Sequence, residues 1–307
     1  MGGILYNSSG LPIFTLTGLP GLENSQHWMF LLFRTLYIVS VGTNGLILFI
    51  VKEEQSLHQP MYYFLSLLSV NDLGASFSTL PTMLGTFCFH LRKIVMPSIT
   101  FDSCMAQMVF IHFFSLMESG VLLVMSFDRY VDICKPLCYT TMLTDSHVVC
   151  MGLLVITHSS CMDFPLPFLV KRLPFCKANV LSHAYCLHSD LIHLPCGDIT
   201  INNIFGLFTV MSTFDLDAAL ILFSYVFILR STLNTCVSHL CVVLIFYVPM
   251  VGVSMTGHYG RHAPQFVHTV LSLIYLFVPP VLNPVIYSIK TKEIRRRLGR
   301  MLVRTKF

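Results

Sequence analysis

The chain is expected to be an all-α membrane protein, a seven-transmembrane helix bundle followed by a short amphipathic eighth helix. Three observations carry this. Of 307 residues, 54% are hydrophobic and 11% charged, against roughly 25% charged in an ordinary soluble domain. A helix needs about 20 apolar residues to cross a bilayer, and seven stretches meet that: 28–51, 60–86, 101–131, 147–169, 199–229, 236–256 and 264–289. Beyond them, Ile294, Leu298, Met301 and Leu302 recur at helical spacing opposite arginines. That is the pattern of a helix lying on an anionic inner leaflet; a solvated basic tail is the alternative. The chain thus divides into an outer tail (1–27), a helical membrane domain (28–289) and an inner tail (290–307).

Basic residues near helix ends favour the cytoplasm. With seven crossings, the tail after 289 lies opposite residues 1–27. The tail holds Lys290, Lys292, Arg295, Arg296, Arg297, Arg300, Arg304 and Lys306, whereas residues 1–27 hold no Lys or Arg. The amino end is therefore expected outside, in a multi-pass plasma-membrane protein. The net charge of +4 is a topology signal and gives no reason to expect nucleic acid as a partner; membrane lipid is the expected surrounding. Residues 1–27 lack the basic start, apolar core and small-residue cleavage site of a signal peptide, so the first helix is expected to act as its own insertion signal. Asn7-Ser8-Ser9 fits the N-glycosylation pattern, which matters only if that end reaches the secretory lumen.

In the first segment, Arg34 is close enough to the outer end to snorkel, and Asn44 should face the bundle interior. Pro60 opens the second, where its missing N–H costs nothing. Asp72 stands mid-span, and an intramembrane carboxylate is expensive unless partnered. In the third, Cys104, Ile111, His112, Ser115 and Ser119 lie on neighbouring faces at 3.6 residues per turn and are expected to line one wall of a cavity. Glu118 could join Asp72 in a polar cluster or be buried as a neutral acid. The segment closes on Asp128-Arg129-Tyr130, a charged pair tolerable only at a membrane edge, with the helix-stopping Pro136 beyond. The fourth carries Asp163 near Pro165 and Pro167; the fifth carries Asp215 and Asp217; Pro249 should kink the sixth. Between the fourth and fifth lies the longest outer loop, with Cys176, Cys186 and Cys196 spaced ten apart. An outer location permits disulfides; zinc held by these cysteines with His183, His188 and His193 is the rival reading.

Several strings resemble a known family. Asp128-Arg129-Tyr130 looks like the Asp-Arg-Tyr motif of rhodopsin-like G-protein-coupled receptors. The longer run from Ser126 to Leu137, with Pro60-Met61-Tyr62 and Ser288-Ile289-Lys290-Thr291-Lys292, resembles odorant receptors. Gly42-Thr43-Asn44-Gly45 is similar to the family's Gly-Asn element, and Asn283-Pro284-Val285-Ile286-Tyr287 to its Asn-Pro-x-x-Tyr hallmark. The outer loop from Arg172 to Cys186 resembles the fish-like, class I group.

What the resemblance implies is specific. Cys186 would bond Cys104 and Cys176 would bond Cys196. Asp72 would mark the sodium site, with Glu118 and Asn44 in the same polar core. Asp128, Arg129, Tyr130, Asn283, Pro284 and Tyr287 would form the switch that engages a heterotrimeric G protein of the stimulatory, olfactory type. A small volatile or short-chain organic odorant would sit between helices three, five and six, with His112, Ser115, Ser189, Ser254 and His258 as contacts. No cofactor is implied.

The chain also departs from the pattern. Arg230 to Cys236 runs straight into the sixth segment where relatives carry a longer basic loop, so weakened G-protein coupling is an alternative. Asp132 replaces a small apolar residue, His258 stands where an acid-gripping arginine is usual, and Asp163 and Asp215 are additional acids. Neighbouring classes fit less well. No lysine lies in 264–289 to hold retinal, and Ile111 occupies the position of an amine receptor's aspartate. There are no internal repeats of the transporter kind, and no nucleophile-base constellation suggests an enzyme. A small-molecule chemosensory receptor outside olfaction is a further alternative.

Overall fold

The computed structural model describes residues 12–16, 26–92, 98–175, 180–181, 185–229, 237–259 and 265–304. Long helices occupy each of the seven expected stretches. The first is Gln26–Glu53, the second Pro60–Arg92 and the third Phe101–Cys134. The second has Pro60 as its first residue, which needs no N–H partner there. Thr100 caps the third, its hydroxyl accepting from the Ser103 amide at 3.4 Å. Five helical spans among the described residues are long and apolar enough to cross a membrane, and His239–Val253 is a shorter apolar stretch in the sixth helix.

The fourth stretch differs from the single helix expected over 147–169. Asp145–Asp163 ends at Phe164 and Pro165–Lys171 continues beyond it. Pro165 and Pro167 have no N–H to donate and crowd the preceding turn. The fifth is Thr200–Thr209, a wide π turn over Val210–Asp215, then Leu216–Leu229. The sixth is Val237–Tyr259, with Pro249 inside it, and the seventh Gln265–Lys290. Thr291 then joins Lys292–Arg304, the eighth helix. Ile294 is fully buried there and Leu298 packs on the core. Glu54 receives an ion pair from Arg297 at 3.5 Å, and Glu293 a hydrogen bond from Tyr62, also at 3.5 Å, so both contacts hold this helix against the bundle.

The core runs down the bundle axis through Leu65, Leu68, Leu122, Ile221, Val242 and Phe246, all nearly inaccessible. Large apolar side chains such as Phe164, Phe168, Ile204, Phe208, Leu222 and Phe223 are exposed on the perimeter. That inversion is what hydrocarbon as a solvent demands. Close helix approach depends on glycine. A Cβ on Gly120 would come within 2.8 Å of Val155 Cγ1, and one on Gly74 within 2.2 Å of the Phe114 ring.

One feature of the outer tail had no sequence signal strong enough to read. β1 (Ile13–Leu16) pairs antiparallel with β2 (Ser98–Thr100) and parallel with β3 (Val180–Leu181). Phe14, fully buried, meets Phe101 and Phe175 with ring centroids 6.1 and 5.7 Å away. The outer tail is thereby stitched to the outer ends of the helices.

Candidate functional site

A partly open cavity of about 590 Å³ lies in the outer half of the bundle. The third helix contributes Ile111, His112, Ser115 and Leu116 to it. The fifth contributes Asn202, Asn203, Gly206, Leu207, Val210 and Phe214, while the sixth supplies Met250 and Val253 and the seventh Ser272, Tyr275 and Leu276. The outer loop closes it with Tyr185, Leu187, His188, Ile192 and His193. Two anchors hold that loop down. Cys186 is disulfide-bonded to Cys104, and Gln107 accepts the Cys186 amide at 3.0 Å while donating to Thr82 at 2.9 Å. Cys196 is also disulfide-bonded; Cys176, its expected partner, lies outside the described residues, as does Asn7. Because Cys186 and Cys196 are both in disulfides, neither is a free thiolate for zinc, and that rival reading fails.

His112 and Ser115 stand on the cavity wall as anticipated, Ser115 bonded to Tyr275. The same wall does not include Cys104 or Ser119. Cys104 is spent in the disulfide, and Ser119 is turned into the protein below. Its hydroxyl donates to Asp217 at 2.6 Å and lies 2.8 Å from the Tyr247 hydroxyl, joining helices three, five and six. Ser189 lies in the short helix His188–Leu191 of the outer loop, and Ser254 and His258 lie in the outer end of the sixth helix. The side chains of these three are outside the described set.

Beneath the cavity the buried acids meet. Asn283 donates to Asp72 at 3.3 Å and to Glu118 at 3.2 Å, so helices two, three and seven share one amide. Asn44 does not join this cluster. Its amide donates to the Pro280 carbonyl at 2.8 Å and the Ser40 carbonyl at 3.0 Å, tying helix one to helix seven. Pro284 leaves the Pro280 carbonyl without its usual helical donor, and Asn44 takes that place. Asp163 is buried with Oδ1 unpartnered but does not line the cavity, and Asp215 is exposed on the perimeter.

At the inner rim Asp128, nearly inaccessible, accepts from Arg129 at 2.5 Å and from the Tyr139 hydroxyl at 2.9 Å. Tyr139 belongs to the short inner-loop helix Tyr139–Met142. Asp132, the acid that departs from the family pattern, takes the other side of the guanidinium at 3.0 Å. Tyr130 packs edge-on against Phe227 of helix five at 6.1 Å. Tyr287 points back into the bundle, its hydroxyl 3.9 Å from the Met125 sulfur, and Tyr225 is hydrogen-bonded to His239 across helices five and six.

An outer cavity, a cluster of buried acids beneath it and a clasped guanidinium at the inner rim lie in one helical bundle. The fold matches squid rhodopsin with a TM-score of 0.72 at 14% identity, over 94% of this chain and 87% of that one. The olfactory receptor family model matches residues 33–305. The chain belongs to the olfactory receptor family. Among human relatives, this olfactory receptor is 54% identical to olfactory receptor 51I2 over 97% of each chain. It is 53% identical to olfactory receptor 51I1 over 92% of each, and 45% identical to olfactory receptor 51E1 over 96% of this chain and 95% of that one. The receptor is accordingly a multi-pass plasma-membrane protein of the odorant-detecting, G-protein-coupled class. Sequence reading missed Gln107, Asn202 and Tyr139. The adjacent pair Asn202-Asn203 at the head of an apolar span was the one available signal for any of them.

Proposed function

We propose that the receptor binds a small volatile or short-chain organic molecule in the 590 Å³ cavity and relays its presence to a stimulatory heterotrimeric G protein. The observation that carries this is the cavity's lining: an apolar wall interrupted by a few convergent polar groups from helices three, five and seven and the outer loop. Such a wall suits an odorant, because apolar area supplies affinity and a few polar groups supply orientation. His112 and Ser115 are proposed as contacts, together with Ser189, Ser254 and His258 from the adjoining outer segments.

A ligand shifts the receptor's resting population only by binding one state better than the other. Tyr247 and Phe246 lie on helix six just below the cavity, and Tyr247 reaches Asp217 through Ser119. We take this as the link by which cavity occupancy moves helix six, and the Asp72, Glu118 and Asn283 cluster as its continuation towards Tyr287. The last step would free Arg129 from Asp128 to meet the G protein.

A second reading, a receptor with impaired coupling, is favoured by two features. Only residues 230–236 join helices five and six, and Arg129 is gripped by two carboxylates instead of one. Surface-expressed receptor should be exposed to an odorant panel while cyclic AMP is recorded. A saturable response lost in the His112→Ala, Ser115→Ala double variant supports the first reading. Ligand-induced thermal stabilisation with silent cyclic AMP supports the second.

A further inference from the structure

Three side chains facing the cavity keep buried polar atoms without a hydrogen-bond partner. Asn202, wholly inaccessible, has both its carboxamide oxygen and nitrogen unpartnered, and His112 and His188 each have an unpartnered Nε2. They come from three elements and stand together. Asn202 and Gly206 are one turn apart on helix five, hence on one face. The His188 ring lies against Gly206, where a Cβ would be 3.5 Å from its Cε1. The His112 and His188 rings meet edge to face with centroids 6.2 Å apart. Buried polar groups are ordinarily satisfied, so four unpartnered buried atoms on residues that line one cavity mark where a ligand's polar group belongs.

Its chemistry restricts that ligand. None of the described lining residues is Lys or Arg, so among them a carboxylate would find no permanent counter-charge, and unpaired buried charge is strongly disfavoured. Burial holds the His188 imidazole down at about 3, which keeps it neutral rather than available as a cation. The carboxamide of Asn202 offers a donor and an acceptor side by side. A group that both donates and accepts satisfies it, whereas an ether or a carbonyl that only accepts leaves its oxygen orphaned.

Resting on the cavity's role as the ligand site, we infer that Asn202 is a specificity-determining contact and that the receptor selects neutral aliphatic or alicyclic alcohols over the matching carboxylates. The hydroxyl sits between Asn202 and the two imidazoles, and the hydrocarbon body lies along Leu207, Val210 and Leu276.

The test uses the full chain, purified in detergent for ligand-induced thermal shift and expressed in cells for cyclic AMP. The probes are alcohols of about six to twelve carbons with the matching carboxylates, methyl ethers and alkanes. The expected result is stabilisation by alcohols at concentrations about tenfold or more below those needed for ether or carboxylate. In Asn202→Leu, which has similar volume and no hydrogen-bonding group, alcohol and ether should become equivalent. Carboxylates matching or surpassing alcohols would overturn the inference, as would no stabilisation by any alcohol, or an alcohol preference that survives Asn202→Leu. The comparison on the unaltered chain decides the ligand class even if Asn202→Leu fails to fold. Alcohol-selective stabilisation with silent cyclic AMP would leave the inference standing and count against G-protein activation.

Discussion

Asp132 illustrates how one side chain can alter a switch without joining its recognised motif. Three residues after Arg129 on the same helix, it faces the guanidinium from the side opposite Asp128, as i,i+3 neighbours do. Its side chain is 42% exposed, so the pair is screened and contributes about 0.2–1 kcal/mol. Asp132→Asn is therefore expected to raise ligand-independent cyclic AMP by up to about fivefold. Asp128→Asn should raise it further, because Asp128 is inaccessible and also holds Tyr139. Equal basal signalling in wild type and Asp132→Asn at matched surface levels would refute the role given to Asp132. Asp132 was visible in the sequence as an oddity. Its partner became visible only when the helix turned both groups to one side.

Packing between elements depends on where side chains are missing. Helix three approaches helix four at Gly120, and an added methyl would press on Val155, itself buried. Gly120→Ala should lower thermal stability by about 1–3 kcal/mol, and Val155→Ala in the same chain should restore part of it. Additive loss in the double variant would show that the two do not touch. The outer loop makes a pH-dependent prediction. Burial, with smaller contributions from His112 and His193, pushes His188 from 6.5 down to about 3. The stability it contributes is therefore complete above about 6.5 and is lost as pH falls towards about 3. Burial raises Asp190 from 3.8 to about 6 against the opposing pull of His268 and His193, which acts with the opposite sign below about 6. Between about pH 6 and 3.8 the two titrations oppose each other proton for proton, so the melting temperature should fall between about pH 6.5 and pH 6 and again below about 3.8. His188→Phe should flatten or reverse that slope, and an unchanged slope would contradict the burial of its ring.

Across the whole molecule, charge orients the bundle and the connection between helices five and six limits it. Epitope tags at the two ends should be reached from opposite compartments, the amino end from outside; both ends in one compartment would overturn the topology. Insertion of about ten residues within 230–236 should increase the maximal cyclic AMP response if the short connection restrains helix six, an expectation drawn from short helix-helix joints. No gain at equal surface expression would remove the restraint from the account. Much of this was legible in the chain. Hydrophobic stretches, the basic inner tail and the Pro60, Arg129 and Pro284 strings determine the seven crossings, their direction and the family, because bilayer thickness and desolvation of charge act on sequence directly. What fills a cavity or clasps a guanidinium was not legible in the same way. Gln107, Tyr139 and the tail strand β1 acquire their meaning from neighbours many residues distant, which only packing brings within hydrogen-bonding reach, and Asn202 acquires its meaning from the cavity that packing leaves beside it. Likewise Ser119 could be placed on a face by its period but not assigned to Asp217 instead of the cavity, since Asp217 stands on another helix and only the packing of helix five against helix three brings it to 2.6 Å.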